Sequence, residues 1–141
     1  ANIKNGTKHP IKNGAIKIMA TIAPALCAKP VELKNNDAAV LIVPEYQGRV
    51  MTSSCNGNTG FSFGWINYDL IEKQELVEHI NPFGGEERFW VGPEGGQFSI
   101  YFDKGKDFDF ENWFVPAELD TKSFDLVSNN DTSAKFALAD T

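Results

Sequence analysis

The residues best suited to chemistry lie in one short block, GGEERFWVGPEGG, at positions 84–96. If the block is extended, alternate side chains project to one face, which brings together Glu86, Arg88 and Trp90. Sugars are bound in this way, because an aromatic ring stacks on the apolar face of the pyranose while charged planar groups bind its hydroxyls. The block therefore predicts a sugar site. Glu94, on a turn of conformationally restricted residues, is a further binding residue and a candidate catalytic carboxylate.

The same block also has a structural interpretation. An arginine between glutamates and beside glycine-rich turns is typical of internal ion pairs that fix loop geometry. The two Gly-Gly pairs either let the backbone approach a ligand closely or form the bulges that a curved sheet requires. The sequence leaves both interpretations open.

Two residues outside the block are further candidates. Arg49 follows the turn PEYQG and could reach the same groove, although we favour a pair with Glu45 at a sheet edge. His79 is the only histidine near the block and is the candidate general acid. A lone histidine at a helix end is also commonly a cap or a surface residue.

An acidic aromatic run, DFDFENWF, holds the weak candidates for a metal site. Asp107, Asp109 and Glu111 alternate with Phe108 and Phe110, which puts three carboxylates on one strand face. Calcium prefers such oxygen ligands, but the spacing lacks the EF-hand pattern and a solvated strand face explains it equally well. No GxSxG, P-loop or GxGxxG motif occurs, so we predict neither a metal nor a cofactor.

Composition narrows the class of protein. The chain has 141 residues, within the range of one domain, and 13 basic against 19 acidic residues give a net charge of -6. No basic segment interleaves with aromatics, so nucleic acid is not a predicted partner. Aromatic residues make up 12% of the chain, which argues for a folded core. No run reaches the roughly 18 apolar residues of a membrane span.

The first 30 residues differ from the rest, and we interpret residues 1–30 as an N-terminal arm. Within it, AIKIMATIAPALCAKP is similar to a secretion signal, although we favour a short helix or a packed arm. Cys27 and Cys55 lack CxxC spacing, so zinc is not predicted. They form either one disulfide or, as we favour, two free buried thiols.

From position 31 the pattern changes to strands and turns. VELK, NND and AAVLIV predict a hairpin whose second strand is buried. Further strands are predicted at RVMTSS, FSFGWI, QFSIYF, SFDLVS and AKFALAD, and NYDLIEKQELVEHI predicts one short helix capped by Asn67 or Asp69. The fold class is therefore all-β, an antiparallel β-sandwich over residues 31–141.

The last strand pattern runs almost to Thr141, which predicts an unpaired sheet edge. We therefore expect the sandwich to be incomplete. A missing second half or a homo-oligomer would supply the partner strands.

Three stretches, VLIVPEYQGRVMTSS, FSFGWIN and above all NPFGGEERFWVGPEGGQFSIYF, together resemble an uncharacterised family of galactose-mutarotase-like proteins from bacteria, chiefly Bacteroidetes. The resemblance covers residues 31–137. It implies a β-supersandwich, of which this sequence supplies the N-terminal portion, with a groove for a sugar or similar small ligand. It further implies carbohydrate binding or processing, in the manner of an aldose epimerase, at a periplasmic or cell-surface location.

Catalytic residues do not carry over from that resemblance. Mutarotases use a histidine acid and a glutamate base from later parts of the chain, and no such histidine motif occurs in this sequence. The alternative is a non-catalytic structural or assembly module, whose sheet pairs with another chain or a missing half.

Overall fold

The computed structural model describes residues 29–138, so the N-terminal arm, the signal-like segment up to position 28 and Cys27 lie outside the described residues. Three small antiparallel sheets account for the strands, and the helices are short, which confirms the all-β prediction. The strands are β1 (Val31–Asn35), β2 (Ala38–Val43), β3 (Arg49–Ser54), β4 (Trp65–Ile66), β5 (Gly84–Gly85), β6 (Asp125–Asn129) and β7 (Ala134–Ala137). The helices are α1 (Tyr68–Lys73) and α2 (Ala117–Asp120). Within residues 29–138 no helix has the length and apolarity to cross a membrane.

The first sheet is the predicted hairpin extended by one strand, in the order β1-β2-β3. Asn36 adopts a left-handed φ of 52° in the first turn, as NND predicts. Apolar β2 is buried along most of its length, as predicted. The PEYQG turn places Gln47 and Gly48 at positive φ after one 3-10 turn, which returns the chain as β3.

The second sheet is smaller than predicted, because only the last two residues of FSFGWI pair as β4. The preceding residues are extended beside β3, where the Phe63 amide donates to the Ser53 carbonyl at 3.2 Å. Beyond β5, an isolated bridge joins Val50 to Glu87. The glycine-rich block is therefore attached to both β3 and β4.

Gly84 and Gly85 are required by the close approach of neighbouring backbone. A Cβ on Gly84, which has a φ of +90°, would lie 2.3 Å from the Trp65 carbonyl oxygen. A Cβ on Gly85 would lie 2.9 Å from the Val50 carbonyl oxygen. The second pair differs, since a Cβ on Gly95 would meet nothing within 4 Å. The first Gly-Gly pair is thus explained by sheet packing.

The predicted helix forms, but it is short. Asn67 caps α1, with its side-chain oxygen accepting from the Leu70 amide at 3.3 Å, and Gln74 ends it at a left-handed φ of 53°. Within α1 only Ile71 is buried, and Val77 is exposed beyond it. The apolar stripe does not continue, so nothing stabilises further turns.

Two predicted strands are wrong. QFSIYF forms turns, in which the Ser99 hydroxyl donates to the Glu94 carbonyl and accepts from the Tyr101 amide. These local bonds replace a strand ladder. DFDFENWF contains a 3-10 turn at Phe110–Asn112, so its carboxylates do not line a strand face. In the described chain only an isolated bridge, between Phe102 and Trp113, pairs these two segments.

The core has two parts. One lies under β2, β3 and α1 and consists of Leu41, Val43, Met51, Ile66, Ile71 and Phe83. The other is centred on Tyr101, Val115 and Leu119. The two last predicted strands form and pair with each other as β6-β7, which is joined to β1 where the Lys34 amide donates to the Asp131 carbonyl at 2.6 Å. Cys55 is exposed, so the prediction of a buried thiol is wrong for this residue.

Candidate functional site

Three of the predicted sugar-binding residues converge, and we call them the Arg-Trp-Glu cluster (Arg88, Trp90 and Glu94). The Arg88 guanidinium lies 4.3 Å from the centre of the Trp90 ring. The Trp90 indole N–H donates to Glu94 Oε1 at 2.8 Å. Glu94 is exposed and Trp90 is half-buried. An exposed carboxylate, a half-buried aromatic ring and a largely buried cation therefore meet at one position.

The other side of this cluster is anchored in the core. The Trp90 ring stacks on Tyr101 at 5.2 Å, and the Tyr101 hydroxyl donates to the Val91 carbonyl at 2.6 Å. Arg88 donates to the Leu119 carbonyl, and burial lowers the pKa of its guanidinium. The cluster is thus held by side chains that are fixed on the second core.

Arg88 also approaches a buried carboxylate that sequence analysis missed. Asp120, at the end of α2, lies 4.0 Å from Arg88 and accepts from the Asn81 backbone amide at 3.1 and 2.9 Å. The Asn81 side-chain amide donates to the same carboxylate at 2.7 Å. Asp120 is thus the anionic centre of a buried polar network that joins α2 to the segment before β5.

Arg49 lies below the surface and does not pair with Glu45. It is 3% exposed, donates to the Gly84 carbonyl at 2.9 Å, and lies 5.7 Å from the Phe83 ring centre. Burial, followed by the like charge of Arg88, lowers its pKa to about 10. Glu45 instead accepts from the Lys29 amide at 2.7 Å. The Arg49–Glu45 prediction is therefore wrong, and Arg49 supports β5 from beneath.

Glu86 is directed away from the cluster. Its carboxylate accepts from the Ser53 amide at 2.5 Å and from the Ser53 hydroxyl at 2.7 Å. Residues 86 to 90 do not form a continuous strand, because the ladder stops at the Glu87 bridge. The predicted common face therefore holds only for Arg88 and Trp90.

His79 is held between rings rather than directed at Glu94. Its Nδ1 atom lies 2.6 Å from the Trp113 carbonyl oxygen. The imidazole packs against Phe110 and Phe114, each with a ring centre 4.4 Å away. Within the described chain no hydrogen bond joins His79 to Glu94, so the predicted acid and base do not form a pair.

A groove of about 340 Å³ lies beside these rings, and we call it the ring groove. Two aromatic pairs line it, Phe102 with Phe108 at 5.2 Å and Phe110 with Trp113 at 6.2 Å. Asp109 is its remaining lining residue. Phe108 and Phe110 are 60% and 63% exposed, so their rings are open to a ligand.

The acidic run does not build a metal site in the described part of the chain. Asp109 accepts from the Asn112 amide at 3.1 Å and from its side-chain nitrogen at 2.7 Å, which caps the 3-10 turn. Residues 29–138 contain no group of three His, Cys, Asp or Glu side chains that could hold an ion. Asp107, Asp109 and Glu111 thus do not converge as ligands.

Comparison with known families gives one match. The profile of DUF6786, a family of unknown function, covers residues 25–139. The chain belongs to this family. No curated protein and no solved structure gives a significant match to the sequence.

The DUF6786 match includes the Arg-Trp-Glu cluster, the Asp120 network and the ring groove. The sequence predicted the first of these from the density of charged and aromatic residues. It held no signal for Asp120 or Asn81, since a single Asp after the helix-favouring residues AEL and an Asn before proline are ordinary. The ring groove had a signal in DFDFENWF, but a strand interpretation placed its phenylalanines opposite the acids.

Proposed function

We propose that this DUF6786 domain binds carbohydrate through the Arg-Trp-Glu cluster, as part of a mutarotase-like β-sandwich. The observation that carries the proposal is the bond from the Trp90 indole to an exposed Glu94 carboxylate, with the Arg88 guanidinium over the same indole. The exposed Glu94 carboxylate is an acceptor for sugar hydroxyls, and the Arg88 guanidinium lies beside it. Because the Trp90 ring already packs against Tyr101 and Arg88, its role is to orient Glu94 and not to stack on the pyranose as the sequence predicted. The resemblance to mutarotase-like proteins supports the same ligand class.

Binding is better supported than turnover. General acid-base chemistry needs two groups within hydrogen-bond reach of the same substrate. Glu94 accepts from an indole, while the His79 ring is packed between Phe110 and Phe114. An aldose epimerase-like reaction would therefore need a second catalytic group from elsewhere. A periplasmic or cell-surface location stays a prediction from the resemblance.

The test is a titration with a panel of neutral and acidic mono- and oligosaccharides, followed by calorimetry and protein NMR. Glu94→Gln keeps an oxygen for the Trp90 N–H but removes the charge, so we expect sugar affinity to fall about three- to tenfold. Glu87→Gln makes the same change at an exposed glutamate of the same segment and should bind like the parent. If no sugar binds, or if both variants bind equally, the proposal is wrong.

A second candidate function, an assembly module, is favoured by a separate observation. The Phe-Trp row (Phe61, Phe63 and Trp65) projects from the extended segment leading into β4, and its rings are 52%, 56% and 64% exposed. The alternate residues Ser62 and Ile66 are buried, so the row is the outward face of that segment. Exposed aromatic rows mark interaction surfaces.

Light scattering of the purified chain tests the assembly function. We expect a dimer or larger species that Trp65→Ser converts to monomer, while Phe98→Ser, at an exposed phenylalanine outside the row, has no effect. A parent protein that stays monomeric at all concentrations would exclude self-assembly through this row.

A further inference from the structure

The ring groove has a composition that differs from that of the Arg-Trp-Glu cluster. Four of its five lining residues are aromatic, and the fifth is a carboxylate. Its volume is about 340 Å³, and it is shallow and largely open to solvent. This aromatic and acidic lining favours a different class of ligand from the proposed sugar.

The polar groups of the groove select against a neutral sugar. A sugar presents several hydroxyls, each of which needs donors and acceptors when it is desolvated. Among the lining residues only Asp109 and Trp113 carry polar side-chain atoms, and the other three offer ring surface alone. A ligand whose head group carries no hydroxyls matches this lining better than a sugar does.

The charge of the groove selects for a cation. Aromatic faces carry negative electrostatic potential and attract quaternary ammonium groups, which are too weakly hydrated to prefer water strongly. Asp109 adds a formal negative charge, and only its Oδ1 atom accepts the two bonds from Asn112. The segment from Asp103 to Glu111 has four acidic and two basic residues, so its net charge is also negative.

Two of the four rings are also held in place, those of Phe110 and Trp113. Trp113 stacks on the buried Tyr101 at 5.6 Å, and the Phe110 ring packs against His79. Asp109 caps the turn that carries Phe110 and Asn112, which fixes the carboxylate relative to that ring. The side of the groove formed by Asp109, Phe110 and Trp113 is therefore pre-organised, which lowers the entropic cost of binding.

We propose that the ring groove binds a small organic cation of the quaternary ammonium class, with Phe102, Phe108, Phe110 and Trp113 around the methylated head group and Asp109 as its counter-ion. This inference goes beyond the proposed carbohydrate function and does not depend on it. The two sites use different residues, so either one can fail alone.

The experiment is an NMR titration of the full chain with choline, tetramethylammonium and the neutral tert-butyl analogue of choline, in which carbon replaces nitrogen. We expect both cations to bind and to shift the Trp113 indole resonance, assigned by Trp113→Phe. The neutral analogue should bind about tenfold more weakly, because it has the same shape but lacks the charge.

Two variants locate the binding. Asp109→Asn keeps the turn cap while removing the charge, and Phe110→Leu keeps apolar surface while removing the ring face; each should weaken choline binding about fivefold. Phe98→Leu is the matched control, since Phe98 is 79% exposed and lies outside the groove. Thermal unfolding midpoints confirm that the variants fold.

Three outcomes would overturn the inference. Equal affinity for choline and its neutral analogue would show apolar burial without charge recognition. Absence of saturation at tens of millimolar choline would show that the rings are not a cation site. A shift of the Trp113 resonance by sugars but not by cations would assign the groove to carbohydrate instead.

Discussion

Asp120→Ala is expected to destabilise the described domain more than any other single carboxylate substitution. The Asp120 side chain is 4% exposed, accepts three bonds from Asn81, and lies 4.0 Å from the Arg88 guanidinium. Removing the carboxylate leaves the backbone N–H of Asn81 without an acceptor. It also leaves a largely buried guanidinium without its carboxylate.

The expected cost follows from those two losses. Removing one partner of a buried ion pair costs about 3–5 kcal/mol, and this pair belongs at or below the lower end because Arg88 is 23% exposed and the separation is long. An unsatisfied buried N–H adds about 1–3 kcal/mol. The sum is roughly 3–5 kcal/mol, against a total stability of about 5–15 kcal/mol for a typical domain. With a urea slope of about 1–2 kcal/mol/M, the unfolding midpoint falls by about 2 M or more.

The assay is urea unfolding followed by tryptophan fluorescence and circular dichroism. Glu118→Gln is the control on the same helix, because Glu118 only pairs with Lys122 at the surface, at 2.6 Å, and no measurable change is expected. Asp120→Asn, which keeps an acceptor for Asn81, provides a folded variant if the alanine protein is insoluble. Adding Arg88→Met to Asp120→Asn should recover only the part of the loss that comes from the unpaired cation, since it also removes the donor to the Leu119 carbonyl. If Asp120→Ala unfolds at the same urea concentration as Glu118→Gln, the network does not stabilise the fold.

Three further changes test the local structure. Gly84→Ala should cost about 3 kcal/mol or more, from backbone strain and the clash beside β4, while Gly95→Ala should stay within about 0.5 kcal/mol by the same urea assay. Burial raises the pKa of the Tyr101 hydroxyl above its usual value. The protonated Tyr101 hydroxyl therefore stabilises the folded state fully below about pH 10, and this stabilisation is lost as pH rises through the folded pKa. Tyr101→Phe should reduce the fall of the thermal midpoint at alkaline pH. Asn67→Ala should cost about 1 kcal/mol or more by removing the cap of α1 and the bond from the side-chain nitrogen to the Pro82 carbonyl, whereas Asn67→Asp keeps the cap and loses only that second bond.

The sequence predicted the fold best where local signals agreed with tertiary contacts. The β1-β2 hairpin, the turn at Gln47 and the final hairpin all follow from turn residues between apolar runs. Prediction failed after Trp90, where aromatic alternation at positions 97–102 looked like a strand. Ser99 supplied competing side-chain bonds to backbone, and the ring of Tyr101 turned into the core.

The candidate site was predictable only in part, for a physical reason. The Arg-Trp-Glu cluster is local in sequence, so spacing could bring its members together. Asp120 reaches Asn81 and Arg88 across more than thirty positions, and nothing in the sequence around it specifies that contact. Arg49 was misassigned because Glu45 is near in sequence, whereas the structure directs the guanidinium to the Gly84 carbonyl.

The charged side chains of the glycine-rich block differ in what they contact. Glu86 holds β3 and Arg88 holds α2, so both fasten the block to its neighbours. Glu94 differs, since among the described residues the one hydrogen bond of its side chain is from the Trp90 indole N–H to Oε1, and it remains exposed. Structural and ligand-binding roles therefore need not compete for the same residue. Arg88→Lys should lower stability because a lysine cannot reproduce the planar donor geometry, while Glu94→Gln should leave stability unchanged and act on the ligand alone. A loss of stability from Glu94→Gln equal to that from Arg88→Lys would mean that the whole block is structural.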